Sequence, residues 1–310
     1  MKKRRFYRSA LNHCYERTVN GCLCFYTISD YLVFFTILCV AARRYSITLI
    51  KVSLMPDHFH ISCFCNNPQD LASFIRYTSS VYAMEFNTVC GRKGQLFHKS
   101  FGSAPKSTDK AIRTNLIYVD NNPRERYLCS KAEEYRWTFV AYSVSDHPFS
   151  ERIDRRTAPS YLKNAMKLVE ILNEEGKFLR HSTLYRMFSK LSKQQKESFI
   201  DFIISTYSVI DYKFSIDMFG SYENMLTADH ASAGKEFDIH EEFNGKRDDV
   251  YKDMTRLLLV NGLISDIHEV VSMKQSEKEK LWRFLLGKTP ATPRQIACFL
   301  HLPPQNQPPD

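Results

Sequence analysis

The chain has 310 residues, 44% of them hydrophobic and 25% charged, a composition that indicates a folded protein and excludes a largely disordered one. No run approaches the roughly 18 to 20 apolar residues of a membrane span, and no apolar segment follows the basic residues 1–8, so we expect a cytoplasmic protein without a secretory signal. The whole formal net charge of +9 lies in residues 1–150, which predicts a polyanion-binding domain joined to a neutral second domain, residues 151–310.

Strand and helix signals alternate in residues 1–150. We predict strands at 11–19, 45–55 and 58–65, and helices at 30–44, 69–87 and 109–121. Ser29-Asp30 is predicted to cap the first helix and Asp109 the third, which Pro123 should end. Pro56-Asp57 forms a turn between two strands, and residues 91–106 read as a short strand with loops. Interleaved strands and helices around a central hairpin predict an α+β fold with helices packed on a mainly antiparallel sheet.

Helical periodicity dominates residues 151–310, which we expect to be an all-α extension. Helices are predicted at 160–179, 193–207, 222–229, 248–260 and 276–286, and a last helix begins at Thr292-Pro293. Residues 230–245 lack periodicity and are predicted to be a loop. Residues 276–302 leave open a helix-turn-helix, but we favour a plain helical bundle because the following PPQNQPPD cannot supply a recognition helix.

The nine cysteines include no CxxC pair, so neither a disulfide framework nor a zinc ribbon is indicated. The two CxC pairs, Cys22/Cys24 and Cys63/Cys65, are predicted to be small buried hydrophobic residues in a reducing compartment.

Two histidines form an HxH motif on the third predicted strand. Since side chains alternate along a strand, His58 and His60 face one side and Phe59 faces the other. Two imidazoles on one sheet face can share a metal ion. Cys63 and Cys65 have the opposite parity and should point away from such a metal. HxH pairs are common, so the motif alone does not establish a metal site.

Tyr118 and Asn122 are spaced i and i+4 on the helix that follows residue 109, so they lie on one helix face. They fall to one side of the apolar stripe formed by Ile112, Leu116 and Val119, near its rim. We therefore expect the Tyr118 hydroxyl to be exposed. Most rim tyrosines are simply amphipathic packing, and the spacing alone leaves that reading open.

A set of nine basic residues surrounds these elements and is interleaved with Tyr77, Phe97 and Phe101. The set consists of Arg76, Arg92, Lys93, Lys99, Lys106, Lys110, Arg113, Arg124 and Arg126. Lysine and arginine neutralise phosphates and aromatic rings stack on unpaired bases, so this pattern predicts single-stranded DNA binding. The alternative is an ordinary solvated surface.

Four segments follow one another with specific spacing: LMPDHFHISCF, GQLFHKSFGS, LIYVDNNPRER and EEYRWTFVAY. Together they resemble the single-tyrosine HUH transposases and, more narrowly, the REP-associated tyrosine transposases, an IS200-like group. The resemblance covers about residues 6–143. Asp57 replaces the Asn common in the family before the first histidine, and Thr138-Phe139 replaces a common Ser-Ser.

The resemblance implies a ferredoxin-like HUH nuclease domain at residues 1–150. It implies that Tyr118 is the nucleophile and that His58, His60 and Asn122 are ligands of a divalent metal, Mg²⁺ or Mn²⁺. The implied activity is nicking and rejoining of single-stranded or hairpin DNA through a covalent 5′-phosphotyrosine. Two imidazoles and an amide do not by themselves name the metal.

Two other functions are open at this point. A replication-initiator or relaxase-type nickase would use the same residues, but the chain has no GxxxxGK[ST] motif of an attached helicase. A domesticated, non-catalytic DNA-binding protein would need no intact nucleophile. A homodimer is also left open, and the role of the helical extension is unknown.

Overall fold

A four-stranded antiparallel sheet lies at the centre of the amino-terminal part of the computed structural model, which describes residues 6–231 and 247–302. Its strands are β1 (Leu11–Arg17), β2 (Thr48–Met55), β3 (His58–Phe64) and β4 (Gly102–Lys106), in the order β2-β3-β1-β4. Helix α1 (Ile28–Arg44) follows β1, and α2 (Pro68–Val89) follows β3. This chain order and sheet order make a ferredoxin-like arrangement and confirm the predicted α+β fold.

Within the described residues, ten further α-helices follow. They are α3 (Asp109–Glu125), α4 (Ser160–Glu174), α5 (His181–Phe188), α6 (Lys193–Tyr207), α7 (Tyr212–Phe219), α8 (Tyr222–Ala231), α9 (Val250–Val260), α10 (Glu269–Ser272), α11 (Gln275–Leu286) and α12 (Pro293–Phe299). Every regular element within residues 151–231 and 247–302 is thus helical. Residues 232–245 of the predicted loop lie outside the described residues. None of the helices in the described ranges combines the length and apolarity that a membrane span requires.

One face of the sheet is apolar and packs on α1 and α2. Phe59 and Ile61 of β3 and Leu54 of β2 are fully buried there, and the Phe59 ring lies 4.8 Å from that of Phe34 on α1. Helix α1 is buried on nearly all sides because α2 packs on one side of it and α5 and α6 on another. The CxC cysteines are also buried, as the sequence predicts.

Helices α1 and α3 differ from the sequence prediction at three boundaries. The N-cap of α1 is Thr27, which forms a capping box with Asp30, and the N-cap of α3 is Thr108 rather than Asp109. Helix α3 also continues through Pro123 to Glu125. A proline in the last turn removes one hydrogen bond near a helix end, where the loss matters least, so it does not stop the helix.

The second helix of the candidate helix-turn-helix is largely buried. In α12 the residues from Gln295 to Phe299 are covered, and the Phe299 carbonyl accepts a hydrogen bond from the Tyr26 hydroxyl at 2.5 Å. Only the first turn of α12 is exposed. The helix therefore packs against the amino-terminal part of the chain, as a bundle helix does.

A buried aspartate links three distant parts of the chain. Asp30 Oδ1 lies 2.8 Å from His181 Nε2 and 3.0 Å from His268 Nε2, and His268 Nδ1 lies 2.9 Å from Asp266 Oδ1. Burial alone would lower the pKa of His268, because it disfavours the charged imidazolium. The carboxylates of Asp30 and Asp266 have the larger combined effect and raise the pKa of His268 to about 10. Burial would likewise raise the pKa of Asp30, but the two imidazoles hold it below its usual range. The cluster therefore joins α1 to the helical extension through charged groups.

Asp30→Asn should destabilise the protein by about 3–5 kcal/mol, because it leaves buried imidazolium groups without their carboxylate. Equilibrium urea unfolding would measure the loss. The control is Asp253→Asn, which removes an exposed carboxylate paired with Arg256 and should cost less than about 1 kcal/mol. Equal stability of the two variants would contradict this role for Asp30.

The cluster also predicts a pH dependence. The pKa of His268 is higher in the folded chain than the value of about 6.5 expected when unfolded. Its stabilising effect is therefore fully present below about pH 6.5 and is lost as the pH rises through about 10. The difference in unfolding free energy between the wild type and His268→Gln should shrink over this interval. A difference that is constant or that grows with pH would contradict the linkage.

The charged groups that face the His268 imidazole are those of Asp30, Asp266 and His181, with Glu85 behind His181.

Candidate active site

The second face of the sheet is polar and is covered by α3. The side chains on it come from three strands: His13 and Tyr15 of β1, Lys51 and Ser53 of β2, and His58, His60 and Ser62 of β3. These residues share a face because directly paired residues of antiparallel strands point the same way. Two bonds join the face to α3: Ser62 Oγ donates to Asn115 Oδ1 at 2.7 Å, and Lys51 Nζ lies 2.5 Å from Asp120 Oδ2.

His58 and His60 lie together on this face, as their strand parity predicts. Their ring centroids are 5.0 Å apart, with the ring planes nearly perpendicular. Both side chains are fully buried. Phe59 and Cys63 belong to the opposite, apolar face, so Cys63 is not part of this site.

Each histidine is held at its Nδ1 atom. Asp57 Oδ1 lies 2.6 Å from His58 Nδ1, and His13 Nε2 lies 2.9 Å from His60 Nδ1. Burial would raise the pKa of Asp57, but the His58 imidazole and two nearby arginines hold it below its usual range. The Nε2 atoms are thus the ones that face the space beneath α3. His58 Nε2 is buried there without a hydrogen-bond partner among the described residues.

Helix α3 brings Tyr118 and Asn122 onto the histidines. The Tyr118 ring centroid is 5.5 Å from that of His60 and 5.6 Å from that of His13, edge to face in both cases. Asn122 Nδ2 donates to the Tyr118 hydroxyl at 3.4 Å. Asn122 Oδ1 is buried and has no hydrogen-bond partner within the described part of the chain. The structure therefore places the phenol, both imidazoles and the amide in one cluster.

The position of Tyr118 corrects the expectation of an exposed rim residue. Its side chain and that of Asn122 are each only 4% exposed. The reason is that α3 is covered on two sides, by the sheet and by the helices α7 and α8. On the side of α8, Asn121 Nδ2 donates to the Asp229 carbonyl at 2.8 Å. Burial on α3 thus extends well beyond its apolar stripe.

His13 is a member of the cluster that the sequence does not predict. Its signal is weak, since a single histidine in the strand sequence LNHCYER carries no motif. Only the register of β1 against β3, in which His13 is paired with Ser62, brings its ring beside His60. Asp57 stood out only as a departure from the family pattern, whereas the structure shows it bonded to His58.

The donors in this cluster fit a divalent cation. An imidazole nitrogen of His58 and an amide oxygen of Asn122 are buried polar atoms of the kinds that bind such ions, and His60 lies beside them. Within residues 6–231 and 247–302 no group of three His, Cys, Asp or Glu residues is arranged to hold a metal. The candidate set differs from such a group because its third member is an amide.

The nine basic residues separate into two kinds. Arg92 bonds to Asn87, Arg124 bonds to the last carbonyls of α8, and Arg126 pairs with Asp248 at 3.4 Å. These three support the fold. The other six are Arg76, Lys93, Lys99, Lys110 and Arg113, which are exposed, and Lys106, which is half-buried.

A cleft of about 660 Å³ adjoins the histidine cluster. Tyr15, Arg17, His98 and Lys99 line it. A second cleft of about 430 Å³ shares His98 and Lys99 with the first and continues to Arg76. Part of the predicted basic set therefore borders a path that leads away from the candidate active site.

Residues 27–122 match the family described as "Transposase IS200 like". The matched segment runs from the N-cap of α1 to Asn122 and contains both histidines and Tyr118. This segment of the chain is similar to the IS200-like transposases, in agreement with the resemblance found in its sequence.

Among solved structures, the chain is similar to one described as "Structure of the REP associates tyrosine transposase bound to a REP hairpin". The identity is 15% and the TM-score is 0.41, and the alignment covers 52% of this chain and 95% of that one. No curated protein matches the chain.

Proposed function

We propose that the protein is a metal-dependent transposase that nicks and rejoins single-stranded or hairpin DNA through a covalent 5′-phosphotyrosine on Tyr118. The observation that carries this proposal is the meeting of the Tyr118 phenol with His58 and His60 beneath α3. A nucleophile and metal-binding groups on neighbouring elements are what cleavage of a phosphodiester requires.

In this proposal His58, His60 and Asn122 hold Mg²⁺ or Mn²⁺. A cation held there would supply positive charge to polarise a non-bridging oxygen of the scissile phosphate. Asp57 and His13 fix the two imidazole rings at their Nδ1 atoms, which leaves the Nε2 atoms as the ones that would bind it. Asn122 also donates to the Tyr118 hydroxyl and holds the phenol close to the same phosphate.

The chemical step exchanges one phosphoester for another. The Tyr118 oxygen attacks phosphorus and loses its proton, the bond from phosphorus to the 3′ oxygen breaks, and the leaving strand takes up a proton to become a 3′-OH. A phenol with a pKa of about 10 is protonated at neutral pH, so its proton leaves during the attack. Because the phosphoester is retained, the 3′-OH of another strand can reverse the step without ATP.

Tyr118→Phe should abolish the covalent protein–DNA adduct and leave DNA binding largely intact, since it removes one oxygen from the cluster. The assay is incubation with a library of single-stranded oligonucleotides and Mn²⁺, followed by denaturing electrophoresis and mapping of the attached 5′ ends. Tyr127→Phe, on a tyrosine that is 54% exposed just after α3, is the matched control and should form the adduct normally.

An adduct that persists in Tyr118→Phe would assign the nucleophile elsewhere. Tight binding of hairpin DNA by the wild type without any cleavage would instead favour the non-catalytic DNA-binding function.

His58→Ala and His60→Ala should each lower the rate of nicking by at least about a hundredfold, because removal of a ligand weakens a metal site by more than the 10- to 100-fold seen for outer partners. EDTA should stop the wild type, and added Mn²⁺ should restore it. His147→Ala, on a histidine outside the cluster, should nick at the wild-type rate. Undiminished nicking in EDTA would refute the metal's role.

A further inference from the structure

Tyr15 lies at the border between the histidine cluster and the larger cleft. Its ring centroid is 5.8 Å from that of His13 and 6.1 Å from that of His60. The ring rests directly on the backbone of Gly102 in β4, where a Cβ atom would overlap it. Only glycine at that position lets the tyrosine lie there, so β4 fixes where the ring stands.

The wall of the cleft opposite Tyr15 is built into the sheet edge. Before β4 begins, the segment at residues 96–98 pairs with the end of β1 and with the residues that follow it. Val19 N donates to the Leu96 carbonyl at 2.8 Å, and His98 N donates to the Arg17 carbonyl at 3.0 Å. These backbone bonds hold the wall in place, so the cleft is a preformed feature.

The charge along this path is mainly positive. Arg17, His98 and Lys99 line the larger cleft, and Arg76 lies in its continuation beside Phe101. The acidic residue of the lining, Glu16, is buried and its carboxylate accepts a hydrogen bond from Ser79. A groove with cations along it and an aromatic ring at one end has the composition of a single-strand binding site.

We propose that Tyr15 stacks on the unpaired nucleobase next to the scissile phosphate, and that Arg17 and Lys99 hold the phosphates of the strand leaving through the cleft. This inference rests on the proposed function and adds a base subsite to it. The Tyr15 ring is in contact range of the His60 ring, so a base stacked on Tyr15 would lie next to the histidine cluster. That is where the nucleotide beside the cleaved bond would be. The interaction uses the face of the ring, so it does not depend on the tyrosine hydroxyl.

The test uses two sets of single strands labelled with the fluorescent base 2-aminopurine. The first set has mixed sequences, with the label at one position in each strand. The second set has sequences that the wild type cleaves, with the label beside the cleaved bond. Stacking on Tyr15 should quench the fluorescence of the base beside the cleaved bond. Tyr15→Phe should retain this quenching and bind within about twofold of the wild type. Tyr15→Leu should lose the quenching and bind roughly tenfold more weakly. Tyr7→Leu, on a tyrosine that is 53% exposed before β1, should behave as the wild type.

Lys99→Ala provides a second variant that leaves the sheet untouched. It should weaken binding of all strands alike and reduce the slope of log affinity against log salt concentration by about 0.7, the amount for one phosphate contact on a single strand. An unchanged slope would remove Lys99 from the path. Thermal unfolding of Tyr15→Leu checks that this variant still folds. If it does not fold, the results for Tyr15→Phe and Lys99→Ala decide the test.

The outcomes separate this inference from the proposed function. Quenching of a mixed-sequence strand by the wild type that is lost in Tyr15→Leu, without any covalent adduct, would support the subsite and refute the proposed chemistry. Normal adduct formation with unchanged affinity and quenching in Tyr15→Leu would refute the subsite alone. Loss of the adduct in Tyr15→Phe would overturn the stacking role, because only the hydroxyl differs.

Discussion

The candidate site depends on one constraint, the burial of a polar sheet face beneath a helix. A buried polar group without a partner is costly, and four side chains on this face are tied to neighbours. The ties are Ser62 with Asn115, Lys51 with Asp120, His60 with His13, and His58 with Asp57. These bonds fix the side-chain orientations before any substrate binds. In the proposed reaction, the reacting groups would already be ordered in the folded protein, so their ordering would not add to the activation barrier.

The helical extension completes this constraint, although it lies outside the segment that matches the transposase family. Helix α8 covers the outer side of α3, and Asp229 of α8 lies against Asp120 and Lys51. Burial, followed by the charge of Asp120, raises the pKa of Asp229 to about 9, which shows how fully α8 covers this part of α3. The helix that carries Tyr118 is therefore held from both sides, and the extension contributes directly to the position of the proposed nucleophile.

Much of this arrangement is predictable from the sequence, because it depends on local signals. The alternation along HFHISCF puts His58 and His60 on one face, and Pro56-Asp57 sets the hairpin that carries them. The burial of Tyr118 and the role of His13 are not predictable in this way. They depend on the register of β1 against β3 and on helices about a hundred residues further along the chain. An apolar periodicity also cannot reveal a buried face whose residues are polar, which is why α3 is covered at Tyr118, where exposure was expected.

The two histidines are held by chemically different partners, and this difference bears on the proposed metal site. A carboxylate behind an imidazole makes the opposite ring nitrogen a stronger donor, whereas a second imidazole does so less. His58, backed by Asp57, should then bind a cation more strongly than His60, backed by His13. The family commonly has Asn where this chain has Asp57, and an amide would orient the ring without adding charge. Asp57 thus places a negative charge behind His58, which in the proposed site would strengthen the hold of His58 on a divalent cation.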